Sequence, residues 1–158
     1  MTLKDTEFDN QFMLHALEEA KKAYLDGEVP VGCVIVDRLG GKIISQTHNM
    51  MQQGKNANLH AEIMAINAAC KKMDSKNLSN CNIYVTLEPC TMCAGAISNA
   101  RLGRLYYGAA DTKQGAVENG VRFFSTKSCF HRPEIYSDIY SAESEEIIKN
   151  FFARLRKN

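Results

Sequence analysis

The stretch Ile83-Tyr84-Val85-Thr86-Leu87-Glu88-Pro89-Cys90-Thr91-Met92-Cys93-Ala94-Gly95-Ala96-Ile97 decides the architecture. Its first five residues are an apolar, β-branched run of strand length. Pro89 suits the opening of a helix, where its missing N–H would have no partner in any case. The spacing predicts a strand over 83–87 and a helix over 89–97. A strand that runs straight into a helix is the unit of a sheet covered by helices. Cys90 and Cys93 stand three apart, so on a helix they share a face and can grip one ion. Cys90 is expected within the first turn, where the positive helix end favours the thiolate that a metal needs.

Upstream, Phe8, Phe12, Ala16, Leu17, Ala20 and Tyr24 recur at helical spacing over 8–25, and Asp26-Gly27 stops that helix. Residues 31–36 read as a buried strand. Leu39-Gly40-Gly41 turns the chain into a second strand over 42–48, so the pair should be an antiparallel hairpin. A polar loop over 49–58 leads to His60-Ala61-Glu62 and a helix with the apolar stripe Ile63, Ile66, Ala69 and Met73, Asn58 being placed to cap it. Downstream, 105–109 and 135–140 read as the fourth and fifth strands and 141–156 as a closing helix. In that helix Glu143, Glu145 and Glu146 come early and Arg154, Arg156 and Lys157 late, each sign matching the helix dipole. The order points to an α/β fold with a parallel-type sheet covered on both faces, entered through a hairpin.

The 158 residues suit one domain over 1–158, without repeats or linkers. Hydrophobic residues at 45% and charged residues at 23% exclude wholesale disorder. A net charge of +1 excludes a surface that is basic throughout, but leaves room for a local basic patch. The longest apolar runs fall far short of the roughly 18 residues of a membrane span. Residues 1–10 carry Asp5, Glu7 and Asp9 and read as neither signal nor transit peptide. A reducing, cytoplasmic location is therefore expected. There the six cysteines serve metal binding or catalysis better than disulfides.

If the starts of the two helices face each other, His60, Cys90 and Cys93 supply three ligands. Three protein ligands with a fourth position left to water is the pattern of catalytic zinc, whereas structural sites close with a fourth side chain. Such a side chain would have to come from Cys33, Cys70, Cys81, Cys129, His15, His48 or His131, none of which has a close-spaced partner. Cys33 and Cys70 read instead as small core residues, Cys81 and Cys129 as loop thiols, and His15 as a packing residue. Glu62, two residues past His60, can lean toward the open metal position and carry protons as base and then acid. Taken alone, it could equally serve only as a charge at a helix N-terminus.

His60-x-Glu62 with Pro89-Cys90-x-x-Cys93 is the signature of zinc-dependent nucleobase deaminases. With its flanks, it resembles the bacterial tRNA-specific adenosine deaminases. The likeness extends to Glu28-Val29-Pro30-Val31-Gly32, Asn49, Arg101-Leu102-Gly103-Arg104, Gly108-Ala109-x-Asp111-x-Lys113-x-Gly115-Ala116 and Phe151-Phe152-x-Arg154-Leu155-Arg156. This resemblance implies a cytidine-deaminase-like three-layer α/β/α fold with a five-stranded mixed sheet. It also implies a homodimer and one Zn²⁺ per subunit on His60, Cys90 and Cys93. The implied substrate is a tRNA anticodon stem-loop whose wobble adenosine is flipped out and converted to inosine. Glu62 would protonate N1 as activated water adds to C6, then assist the departure of ammonia. Asn49 matches the residue that hydrogen-bonds the purine. Val31, Asp111, Lys113 and Phe152 match positions lining the flipped nucleotide or its neighbour.

Two stretches depart from the family: Asn58-Leu59 stands where Pro-Thr-Ala is common, and 117–130 diverges, with Phe130 replacing an asparagine beside His131-Arg132. Arg101, Arg104, Lys113, Arg122, Lys127, Arg132, Arg154, Arg156 and Lys157 crowd the second half, with Tyr106, Phe123, Phe124, Phe130, Phe151 and Phe152 between them. That mixture suits splayed loop bases, although each residue also has a structural use. Two other functions remain open: a deaminase of free guanine, cytosine or a nucleoside, and a zinc-stabilised RNA-binding module without catalysis.

Overall fold

The structure is a computed structural model that describes the backbone of residues 3–158 and the side chains of residues 10–158. The chain runs α1 (Leu3–Leu25), β1 (Gly32–Asp37), β2 (Ile43–His48), α2 (Ala61–Met73), β3 (Cys81–Leu87), α3 (Thr91–Asn99), β4 (Arg104–Ala109), β5 (Glu134–Tyr136) and α4 (Ser141–Lys157). The strands form one sheet in the order β2-β1-β3-β4-β5. β1 is antiparallel to both β2 and β3, while β3, β4 and β5 are parallel. The expected hairpin and five-stranded mixed sheet are both present.

β3 is central and buried along nearly its whole length, because alternate side chains face two different helical layers. On one side Cys33, Ile35, Ile83, Val85, Leu105 and Tyr107 meet Ala65 and Ala69 of α2 and Ala94 and Ile97 of α3. On the other, Val34, Val36, Tyr84 and Tyr106 lie under Phe12, Met13 and Ala16 of α1. There the rings of Tyr84, Tyr106 and Tyr136 stack across three strands at 4.5 and 4.9 Å. Such pairs add about 0.5–1.5 kcal/mol each beyond the area they bury. α1 comes so close to β1 that a Cβ on Gly32 would collide with the carbonyl of Ala16 and lie 2.6 Å from the amide of Ala20.

The register gathers distant segments at one edge. Gly32 pairs with His48 across the hairpin, and Cys33 pairs with Val85. The start of β1 and the end of β2 therefore lie beside the end of β3. Because β4 is parallel to β3, Ala109 ends beside Leu87. The loops beginning at Asn49, Glu88 and Ala110 all leave from this edge, the usual place for a ligand in an open α/β sheet.

Several local expectations are corrected. β5 is three residues long and ends at Tyr136. α2 is capped by His60, not Asn58, and α3 by Cys90, which precedes the first turn rather than lying in it. The buried face of α2 is Ala61, Glu62, Ala65, Ile66 and Ala69, and Met73 is 39% exposed, because small residues let this helix settle close to the sheet. Cys81 is buried at the start of β3 instead of lying in a loop, and His15 faces solvent. Phe8 lies outside the described side chains. Among the described residues, no helix is long and apolar enough to cross a membrane.

Candidate active site

His60 and Cys90 are both helix caps, and neither side chain makes a cap hydrogen bond. Their backbones are extended (φ −71° and −75°), which leaves the imidazole and the thiol free to turn toward each other. The amide at the start of α2 is satisfied from elsewhere: Asn49 Oδ1 accepts the Ala61 N–H at 2.8 Å. Asn49 Nδ2 donates to the carbonyl of Val29 at 3.1 Å. Cys93, one turn into α3, is fully buried.

His60 Nδ1 lies 3.6 Å from each of the two sulfurs, Cys90 Sγ and Cys93 Sγ. All three ligand atoms fall within 4.8 Å of one another, the one such group of three among the described residues. A tetrahedral zinc, with Zn–S about 2.3 Å and Zn–N about 2.0–2.1 Å, sets sulfur and nitrogen about 3.6 Å apart. The donor set fits zinc, and among the described residues no fourth protein ligand closes it.

The charges around these atoms are strongly coupled. The Cys93 thiol and the His60 imidazole, working against burial, hold the Cys90 thiol down at about 4. Cys93 is pushed far up by the Cys90 thiolate, by burial and by Glu62. His60 is raised, first by its contact with Cys90. Two adjacent sulfurs thus share one negative charge until a cation lets both ionise. Glu62 is 4% exposed, and burial raises its carboxyl despite hydrogen bonds from its own amide and from Cys93. A carboxyl raised in this way is closer to the range in which it can both give and take a proton.

Above the ligands opens a cavity of about 730 Å³. His60, Cys90, Glu62, Asn49, Val31, Asp111, Lys113 and Phe152 all line it, so the residues singled out in the sequence converge on one site, with Cys93 behind them. Asp111 is already engaged within its own turn, where Oδ1 accepts the amides of Lys113 and Gln114 at 3.0 Å each. Lys149 and Arg156, which also line the cavity from α4, are exposed.

Two further carboxylates were legible only as letters within quoted motifs. Glu28 is fully buried, and its Oε1 accepts the amides of Gln52 and Gln53 at 2.7 and 2.9 Å, tying down the loop after Asn49. Glu88 is 2% exposed and accepts five N–H groups from 111–119. These donors outweigh burial and hold its carboxyl below the usual range. The available signal was an acid inside an otherwise apolar stretch, where only a dense set of donors could satisfy it. The basic residues divide in a similar way. Arg104 pairs with Glu134 at 3.1 Å, and Arg154 donates to the carbonyl of Tyr24 at 2.9 Å, so both serve the fold. Tyr106, Phe124 and Phe151 are core residues, while Phe130 and Phe152 stay exposed.

Residues 6–109 match the family described as cytidine and deoxycytidylate deaminase zinc-binding region, which makes the chain a zinc-binding deaminase domain of that class. Over 144 residues it is 56% identical to the tRNA-specific adenosine deaminase of Rickettsia bellii, covering 91% of this chain and 99% of that one. It is 49% identical over 145 residues to the tRNA-specific adenosine deaminase of Agrobacterium fabrum, covering 92% and 94%. A solved structure from a study of A-to-I editing by tRNA:A34 deaminases superposes with a TM-score of 0.84 at 49% identity, covering 87% of this chain and 98% of the other. The chain belongs to the family of tRNA-specific adenosine deaminases.

Proposed function

We propose that the protein is a hydrolase that converts adenosine to inosine at the wobble position of a tRNA anticodon loop. It works as one domain over 1–158, in the cytoplasm and as a homodimer. The observation that carries this reading is the placement of buried Glu62 beside His60 and Cys90 in a cavity whose wall continues to Phe152 and Arg156 on α4. Such a cavity admits one base to the floor and leaves room for its neighbours. Loop bases that can be splayed out and stacked on aromatics are the common target of sequence-specific RNA recognition.

His60, Cys90 and Cys93 would hold a zinc ion, which would supply the activation of water as a nucleophile at neutral pH. Glu62 carries the protons: it takes one from the attacking water and gives it to purine N1 as the C6–O bond forms, then moves the hydroxyl proton of the C6 adduct to the amine that departs as ammonia. Asn49 has one amide N–H left for the purine after its bond to Val29. Val31 and Phe152 offer apolar contact to the flipped base or its neighbour, and Lys113 offers charge to a phosphate. Asp111 shapes the wall that carries Lys113. Beside the cavity, Met92 and Val121 form a shallow, partly apolar depression with Lys113, which supports a second subunit at the mouth.

The test is to incubate the purified protein with an anticodon stem-loop and follow adenosine-to-inosine conversion by mass spectrometry, with bound metal measured alongside. Conversion confirms the reading. No inosine, with turnover of free guanine or cytidine, overturns it.

A further inference from the structure

Glu88 occupies the joint between β3 and α3. Among the described residues it forms no ion pair, and its charge is met by N–H groups alone. Oε1 accepts the Asp111 amide at 3.2 Å and Asn119 Nδ2 at 2.7 Å. Oε2 accepts the amides of Val117, Glu118 and Asn119 at 3.0, 3.2 and 3.1 Å. All five donors belong to the single segment 111–119. That segment folds tightly around the carboxylate: a Cβ on Gly115 would lie 2.6 Å from Glu88 Cδ and would collide with the carbonyl of Asp111.

The same segment is stitched to the backbone around Cys90. Gly115 bridges Cys90, Ala116 N–H donates to the Pro89 carbonyl at 2.9 Å, and Glu88 N–H donates to the Ala109 carbonyl at 2.8 Å. Its outer surface, Asp111 to Gln114, is one wall of the cavity. Apart from the Asp111 amide's bond to Glu88, the bonds that hold these wall residues among the described residues are short-range: Asp111 Oδ1 accepts from Lys113 and Gln114, and the Asp111 carbonyl accepts from Gly115. The position of the wall therefore depends on the buried carboxylate beneath it, together with the backbone bonds at Gly115 and Ala116. A charged acceptor is suited to this task, since bonds to an ionised group are roughly twice as strong as neutral ones.

We propose that Glu88 is a positioning residue for the substrate: its carboxylate fixes segment 111–119 against the start of the metal-binding helix, so that Lys113 meets the polynucleotide in one defined place. This rests on the reading of the protein as a tRNA deaminase. Glu88 borders the cavity, but both its carboxylate oxygens are taken up by segment 111–119. Among the described residues none of these bonds goes to a metal ligand's side chain, so its loss should weaken substrate binding far more than the chemical step.

In Glu88→Gln one oxygen can still serve Val117, Glu118 and Asn119, but the new amide then faces the donors of Asp111 and Asn119. Asn119→Asp turns one of those donors into an acceptor, so the double variant E88Q/N119D recreates a matched pair with the charge moved across it. Steady-state kinetics on an anticodon stem-loop, zinc content, and limited proteolysis within 111–119 are measured for the wild type, E88Q, N119D, E88Q/N119D and the milder N119A. The expected result is a KM raised about tenfold in E88Q with kcat changed less than about threefold. Zinc content should stay at the wild-type level, and cleavage in the segment should be faster. N119A should show a smaller rise in KM, and E88Q/N119D should recover most of both the KM and the protection. An unchanged KM and cleavage rate in E88Q, a loss of kcat together with zinc, or no rescue by N119D would each overturn the proposal. Should E88Q not fold, the graded effect of N119A on KM and cleavage decides. If the wild type makes no inosine, the functional reading fails on its own, and proteolysis still reports whether Glu88 holds the segment.

Discussion

The side-chain oxygen of Asn49 accepts the Ala61 amide at 2.8 Å, so the loop leaving β2 caps the helix whose own cap residue, His60, turns its ring to the metal position. A side chain that is both cap and ligand would have to choose between the two. Here the tasks are divided between residues from adjacent elements. The same Asn49 amide is bonded to Val29, so metal ligand, helix start and pocket wall share one hydrogen-bond network.

Replacing Asn49 should therefore disturb more than substrate contact. Asn49→Ala leaves the buried Ala61 amide without its partner, removes one of the two donors to the Val29 carbonyl, and should cost about 1–2 kcal/mol of stability. It should also loosen zinc, because the start of α2 carries His60. Asn49→Asp keeps the acceptor and should retain zinc while losing the N–H donor. Thermal melts and competition with a chelator would separate the variants. Equal zinc retention in both would show that the cap does not support the ligand.

Glu62→Gln preserves volume and removes the exchangeable proton from a residue that is 4% exposed. Inosine formation should drop by about 10²–10⁴. Melting temperature and zinc content should remain near wild type, since the amide oxygen of the variant can still accept the bonds from Cys93 and from the backbone amide. Residual activity within about threefold of wild type would remove Glu62 from the proton-transfer role.

Acid stability should depend on Glu19. Its carboxylate is buried but paired with Lys22 at 2.8 Å and His48 at 2.7 Å, and Asp26 lies 3.7 Å from the other ring nitrogen of His48. Burial raises the carboxyl, yet these partners outweigh it and bring it below 4.5. A carboxylate lowered on folding adds stability above its unfolded pKa, and that stability is lost as pH falls through the folded value. Melting temperature measured from pH 7 down to pH 3 should fall more steeply in the wild type than in Glu19→Gln, the difference opening below about 4.5. Parallel curves would show that the pairing carries no net stability.

What could be read in the sequence followed from how local each signal is. β3 announced itself by an unbroken apolar run, and the His60, Glu62, Cys90 and Cys93 set by its spacing, because both depend on near neighbours. The caps did not: Asn58 has the right chemistry two residues before His60, but Asn49 reaches the helix through the hairpin register, which only the assembled sheet creates. The partners of Glu28 and Glu88 were hidden for the same reason, since all of their donors but the Asn119 side chain are backbone amides, and amides leave no mark in a sequence. The shortness of β5 has a similar origin: after Tyr136 the chain leaves the edge of the sheet for Asp138 and Tyr140, both at positive φ, before α4 begins.

Two arginines of α4 should prove separable although they stand two residues apart. Arg154 places its guanidinium 4.1 Å from the centre of the Tyr24 ring and donates to the Tyr24 carbonyl, closing α4 onto the end of α1. Arg156 is exposed and lines the cavity with Phe152. Losing a stacked, hydrogen-bonded guanidinium costs about 1–2 kcal/mol. Arg154→Gln should accordingly lower the melting temperature by roughly 2–8 °C while leaving KM for the stem-loop unchanged. Arg156→Gln should leave the melting temperature unchanged, raise KM, and reduce the slope of log KM against log salt by about one charge. A reversed pattern would mean that the bond to Tyr24 gives way when RNA binds and that Arg154 turns to the phosphate.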